Sequence, residues 1–176
     1  IDPMFHRTVL GVPSRNLDTF FTDEKEPRIL LTAGKEEAEL SVFEGVMGLY
    51  DGLGGVREEG SSYHLAKVTK TPIILVVDAK GMGRSVLALI AGFLSYDMDR
   101  LIKGVIFKRM SGAYYEMIRP LAEKELGIRV LGYIPRRKEE LGSRHLGLVM
   151  PEEVPELKEK LERSAQEFRQ SVSLAD

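Results

Sequence analysis

The sequence predicts an α/β protein with a mostly parallel sheet flanked by helices. Three observations carry this. From Leu40 onward, short apolar runs of strand length alternate with helical patterns, the order that builds parallel sheets. One run, TPIILVVDA, is apolar throughout and rich in β-branched residues, as a strand buried on both faces should be. The runs end in polar or charged residues followed by loops that open helices. The 176 residues suffice for one domain with a sizeable core.

The elements read as follows. The opening IDPMFHRTVLGVPSRNLDTFFTDEKEP has no clean period and many turn formers, which predicts an irregular surface segment anchored by Phe20 and Phe21. A short helix is expected over 28–39, weakened by Gly34. LSVFEG is the first strand. SSYHLAKVTK is a helix with Ser61 or Ser62 as N-cap. TPIILVVDA is a strand, GRSVLALIAGFLSYD a helix and KGVIFKR a strand. SGAYYEMIRPLAEKELG is a helix that Pro120 should kink or break and Gly127 should stop. IRVLGYIP is the fourth strand, and an amphipathic helix over about 156–172 closes the chain.

Composition narrows the function classes. Charged residues make up 30% and hydrophobic residues 43%, ordinary for a globular protein. The net charge of −2 offers no general attraction to nucleic acid or to an anionic membrane. Without cysteine there can be no disulfide and no thiolate metal site, so a reducing cytoplasm is the simplest location. The longest apolar run, Val86 to Leu94, is far short of the roughly 20 residues of a membrane span. No signal peptide is visible. The start, IDPMFHR, leaves two expectations: residues precede Ile1, or Met4 begins the protein.

Open parallel sheets bind ligands beyond the carboxyl ends of their strands. Here the predicted strand ends carry Glu44, Asp78, Lys108-Arg109 and Pro135-Arg136, so the polar chemistry gathers along one rim. Glu44 opens EGVMGLYDGLGG. A carboxylate at the end of a buried strand needs a cation or several donors, and nucleotide-bound magnesium is such a cation. A solvated acid in a tight turn is the alternative. Asp51 is either a second metal contact or base, or a turn residue of the Asp-Gly pair. Asp78 before AKGMGRS suits a phosphate-facing loop or a plain helix cap. Lys108 and Arg109 either touch an anionic ligand or are solvated. His64 reads as a core-edge histidine and His145, in a loop, as the better functional candidate. Three scattered histidines form no metal set. Arg136-Arg137-Lys138 runs straight into Glu139-Glu140 and reads as a solvated helix start. There is no G-x-S-x-G elbow and no G-x-x-x-x-G-K-[ST] phosphate loop, although Glu44 has the position of the acid that partners such a loop.

EGVMGLYDG, GSSYHLAK, TPIILVVDAKGMGRSVLALIAGF, GVIFKRM, GYIPR and RHLGLV occur in the order and spacing of the cobyrinic acid a,c-diamide synthases, and IDPMFHR resembles a further motif of that family. The resemblance runs over nearly the whole chain. It implies a P-loop NTPase, dethiobiotin-synthetase-like, three-layer architecture lacking its first strand and phosphate loop. It implies an ATP- and magnesium-dependent synthetase that activates corrin carboxylates as acyl phosphates. Ammonia, released from glutamine by a glutaminase domain normally following in the same chain, displaces the phosphate. Glu44 matches the magnesium-binding acid, Asp51 the second functional acid, and Asp2 the last acid of the upstream motif. Ser62, His64 and His145 match motif positions taken as substrate contacts. Lys108, Arg109 and Pro135 fall where nucleotide binds, with Lys108 in place of an Asn that could read adenine. The resemblance further implies that this chain alone has little or no ATP-dependent activity. A competing expectation is a non-catalytic binding or assembly module that pairs as a homodimer through an exposed sheet edge. A third is a partitioning-type ATPase.

Overall fold

A computed structural model describes residues 2–34, 38–136, 143–144, 147–148 and 157–173. The chain divides into two compact units, Asp2–Pro72 and Ile73–Asp176.

The first unit is helical and irregular, with α1 (Asp2–Leu10), α2 (Lys25–Gly34) and α3 (Ser62–Thr69) joined by long loops. Helix α1 corrects the expectation of an irregular opening. Pro3 lies in its first turn, where a missing N–H is harmless. Phe5 is buried. Gly11, at φ 67°, ends it by donating to the Arg7 carbonyl at 3.0 Å. Helix α2 begins earlier than expected because Asp23 caps it, accepting from the N–H groups of Lys25 and Glu26 at 2.8 and 3.2 Å. Helix α3 starts as predicted, with the Ser61 hydroxyl accepting from the His64 N–H at 3.1 Å. Arg28 of α2 donates to the Val68 carbonyl at 2.7 Å, satisfying one open acceptor in the last turn of α3.

LSVFEG is not a strand. Its residues are irregular, and Leu40 and Val42 are 79% and 84% exposed. A strand exists only with a partner ladder, and none of the described residues pairs with this segment as one. Glu44 therefore stands in a loop and not at the end of a buried strand.

The second unit holds a parallel sheet in the order β1 (Ile73–Asp78), β2 (Ile102–Lys108), β3 (Arg129–Ile134), with Leu75, Val105 and Val130 in register. Helices α4 (Ser85–Tyr96) and α5 (Gly112–Leu126) form the crossovers and touch each other. Sequential right-handed crossovers place both on one face, where Val86, Ile90, Ile118 and Ala122 are buried with Val77, Val105 and Phe107. Tyr115 of α5 packs between Phe107 and Tyr133, with ring centroids 6.4 and 4.8 Å away. Burial raises the Tyr115 phenol above its ordinary pKa, and the neighbouring Arg119 partly opposes this. Helix α6 (Leu157–Ser171) packs on β3, and its end closes that edge through a bridge between Gly132 and Val172.

Three further expectations are corrected. Among the described residues the sheet has three parallel strands, and β4 (Ser143–Arg144) with β5 (Gly147–Leu148) form a separate antiparallel pair. TPIILVVDA is buried on one face only. Leu75 and Val77 are covered, while Ile74 and Val76 are each 53% exposed, because β1 is the sheet's edge and its helices lie on the other face. Pro120 does not break α5. It sits on the exposed face, where water can satisfy the carbonyl left without a donor. Gly127, at φ 63°, ends α5 as expected. Among the described residues no helix is long and apolar enough to cross a membrane.

Candidate functional site

The glycine-rich segment is held by the start of α3. Tyr63, nearly fully buried, donates its N–H to the Leu49 carbonyl at 2.9 Å, and its ring meets that of Tyr50 at a tilt, with centroids 4.9 Å apart. Gly45 lies so close to the helix that a Cβ there would stand 2.8 Å from Ser62 Oγ. This places Ser62 against the residue that follows Glu44, whose side chain is 62% exposed. Asp51 donates its N–H to the Gly48 carbonyl at 3.0 Å, and its carboxylate folds back over Gly48, in space that any side chain at 48 would occupy. The following loop closes on itself, with Gly52 N–H to the Arg57 carbonyl and Leu53 N–H to the Glu59 carbonyl, both at 2.9 Å.

Glu44 has a partner that sequence reading missed. His6 of α1 places Nε2 3.6 Å from Glu44 Oε2. The available signal was the spacing of Asp2 and His6 in DPMFHR, one helical turn apart, which puts both positions on one face of α1. His64 has both ring nitrogens engaged. Its Nδ1 accepts from the Gly60 N–H at 3.2 Å and lies 3.1 Å from Thr19 Oγ1, while Nε2 is 3.6 Å from Glu24.

In the second unit, Arg109 follows β2 in the left-handed conformation, φ 62°, and turns onto Asp78. Its Nε donates to Asp78 Oδ1 at 2.8 Å and its Nη2 donates to Asp78 Oδ2. Asp78 also accepts from the Lys80 N–H at 3.1 Å. The pair borders an open groove of about 460 Å³ whose apolar wall includes Val76, Met82, Leu89 and Phe93. Lys108 is exposed at the end of β2, opposite Asp78 and Ile134, and Pro135 follows β3 half-buried. His145 lies outside the described residues.

No family model matches the chain. No solved structure matches it significantly. Curated relatives do. The chain is 46% identical to the cobyrinate a,c-diamide synthase of Thermoplasma acidophilum over 161 residues, 90% of this chain and 36% of that protein. It is 43% identical to the same enzyme of Caldanaerobacter subterraneus over 93% of the chain, and 37% identical to that of Clostridium tetani over the whole chain and 39% of the relative. Over the length it covers, the chain is similar to the cobyrinate a,c-diamide synthases.

The chain spans little more than a third of the length of the relatives it matches. The family resemblance implied magnesium, and the donor set can be compared with that ion. Among the described residues no group of three or more potential ligands gathers in one place. The first unit instead offers single carboxylates, of which Glu44 is largely exposed. That suits magnesium, which keeps most of its waters and is bound through one or two carboxylates and the phosphates of a substrate.

Proposed function

We propose that this chain contributes the synthetase portion of a cobyrinate a,c-diamide synthase. In that role it would bind a corrin carboxylate and magnesium–ATP for amidation in cobalamin biosynthesis. The supporting observation is identity of 37–46% to enzymes of that name through 90–100% of the chain. In this reading the parallel sheet and its helices are of the P-loop NTPase, dethiobiotin-synthetase-like class. The glutamine-hydrolysing domain belongs to the part of the relatives that this chain does not match.

Magnesium–ATP, when bound, would supply the phosphoryl group that turns a carboxylate into an acyl donor. The chain's own residues hold and orient. Glu44 takes the cation, and Asp51 and Asp2 are the acids near the reacting carboxylate. Ser62, beside Gly45, meets the substrate, and His145 is assigned there too. His64 serves the substrate through the loop it holds, since Gly60, Thr19 and Glu24 occupy its ring. Lys108, Arg109 and Pro135, in the second unit, are assigned to the nucleotide by the family resemblance. Arg109 would have to exchange Asp78 for a phosphate or base to take part. The chain carries no G-x-x-x-x-G-K-[ST] loop, so by itself it should bind ATP weakly and turn over little or none.

The experiment is a titration with cobyrinic acid followed by the corrin's visible absorbance. Saturable binding that weakens in Ser62→Ala supports the reading, and a folded chain that binds no corrin counts against it. A second reading is a non-catalytic module that joins a partner strand at β1, which ends the sheet order among the described residues. Sedimentation as a monomer would argue against that one.

A further inference from the structure

The contact between α1 and the glycine-rich segment extends this reading to a residue that it does not assign. His6 is not a free surface histidine. Phe5, beside it, is buried and anchors α1, and its ring meets the imidazole edge-on at 6.2 Å. On the other side, Arg7 donates from Nε and Nη2 to the Ser14 carbonyl at 3.0 and 2.7 Å. That pair of bonds fixes the segment after α1, so that the Ser14 hydroxyl lies 3.5 Å from His6 Nδ1. With the Ser14 hydroxyl as donor to Nδ1, the neutral ring would carry its proton on Nε2, the nitrogen that faces Glu44 at 3.6 Å. The ring, 29% exposed, is far more enclosed than the carboxylate it faces. A ring fixed from behind and aimed at an exposed carboxylate restricts the rotamers of that carboxylate. Histidine and carboxylate partners commonly orient a metal ligand in this way, and their loss costs about 10–100-fold in metal affinity.

We infer that His6 is the positioning residue for Glu44: through Ser14 and Arg7 it holds the Glu44 carboxylate in place to receive a nucleotide-bound divalent cation. The inference rests on the proposed role of Glu44. Helix α1 thereby acts as part of the site, and Asp2, one turn before His6, stands on the same helical face.

The test uses manganese–ATP as the probe and the backbone amide signals of Glu44 and Gly45 as the readout, since bound manganese broadens nearby resonances. His6→Ala should weaken the apparent affinity about tenfold. His6→Gln, whose amide nitrogen can occupy the place of Nε2, should keep most of it, and His6→Asn should not. In a Glu44→Gln background, His6→Ala should add nothing further. Full affinity in His6→Ala, or an equal loss with and without Glu44, overturns the inference. A second measurement, without metal or nucleotide, separates the two layers. The nitrogen-15 shift of the His6 ring should change in Glu44→Gln. No change shows that the contact is absent and overturns the inference directly. A change in the ring, together with a Glu44→Gln variant that binds manganese–ATP normally, overturns the cation reading of Glu44 and the inference with it.

Discussion

The Nδ1 atom of His64 accepts a hydrogen bond from the Gly60 backbone N–H at 3.2 Å, so the neutral ring carries its proton on Nε2, the nitrogen facing Glu24. The imidazole thus closes the loop that follows Asp51 onto the helix that carries Ser62. Asparagine places an acceptor oxygen near the position of Nδ1, and glutamine does not. His64→Asn should therefore keep most of the stability of the loop, while His64→Ala and His64→Gln should lose about 1–2 kcal/mol. Amide hydrogen exchange at Gly60 is the check, and equal protection in all three variants would refute the clasp.

Gly52 supports the same loop by the absence of a side chain. A Cβ at this position would lie 2.6 Å from the Arg57 carbonyl oxygen and 2.9 Å from that of Glu58. Those obstacles are backbone and cannot rotate away, so Gly52→Ala should destabilise by about 1–3 kcal/mol. Thermal unfolding would show a lowered midpoint. An unchanged midpoint would mean that the loop reaches its conformation another way.

Asp97 is a buried carboxylate outside the site. It accepts from the N–H groups of Leu101 and Ile102 at 2.8 and 2.7 Å, where β2 begins. Asp97→Ala strands two donors and should reduce stability by about 2–4 kcal/mol. Asp97→Asn retains one acceptor oxygen and should lose less. Denaturant unfolding of the two variants orders these effects, and equal losses would contradict the assignment.

Tyr115 gives a pH dependence of defined sign. Burial favours its protonated form, so its pKa in the folded state lies above the value in the unfolded chain. The unfolded chain loses the phenol proton first, and this group's contribution to stability falls as pH rises from about 10 toward the folded-state value. Tyr115→Phe should remove that part of the alkaline decline. Stability curves of equal alkaline slope would count against it.

The three strands of the parallel sheet and the four later helices were legible because their signals are local. A β-branched run, an N-cap at Ser61 or Ser111 and a C-cap at Gly127 each act within a few residues. Helix α1 was hidden because Gly11, Pro13 and Ser14, which follow it, were read together with it as one irregular segment. LSVFEG was misread because its apolar pattern specifies a strand only if a partner ladder exists, and that depends on the rest of the fold. The site was legible in part. Glycine spacing pointed to Glu44 and Asp51, and the α3 cap pointed to the Ser61–His64 turn. No local pattern joined His6 to Glu44, because they are far apart in sequence and meet only when α1 is docked. The tie between Arg109 and Asp78 was hidden for the same reason.

If Glu44 meets a nucleotide-bound divalent cation, manganese–ATP should broaden nearby resonances even when binding is weak. The amide signals of Glu44, Gly45 and Asp51 should then broaden ahead of the rest of the first unit, and Glu44→Gln should weaken the effect. Broadening that leaves these three residues untouched, or that persists unchanged in Glu44→Gln, would contradict that role of Glu44.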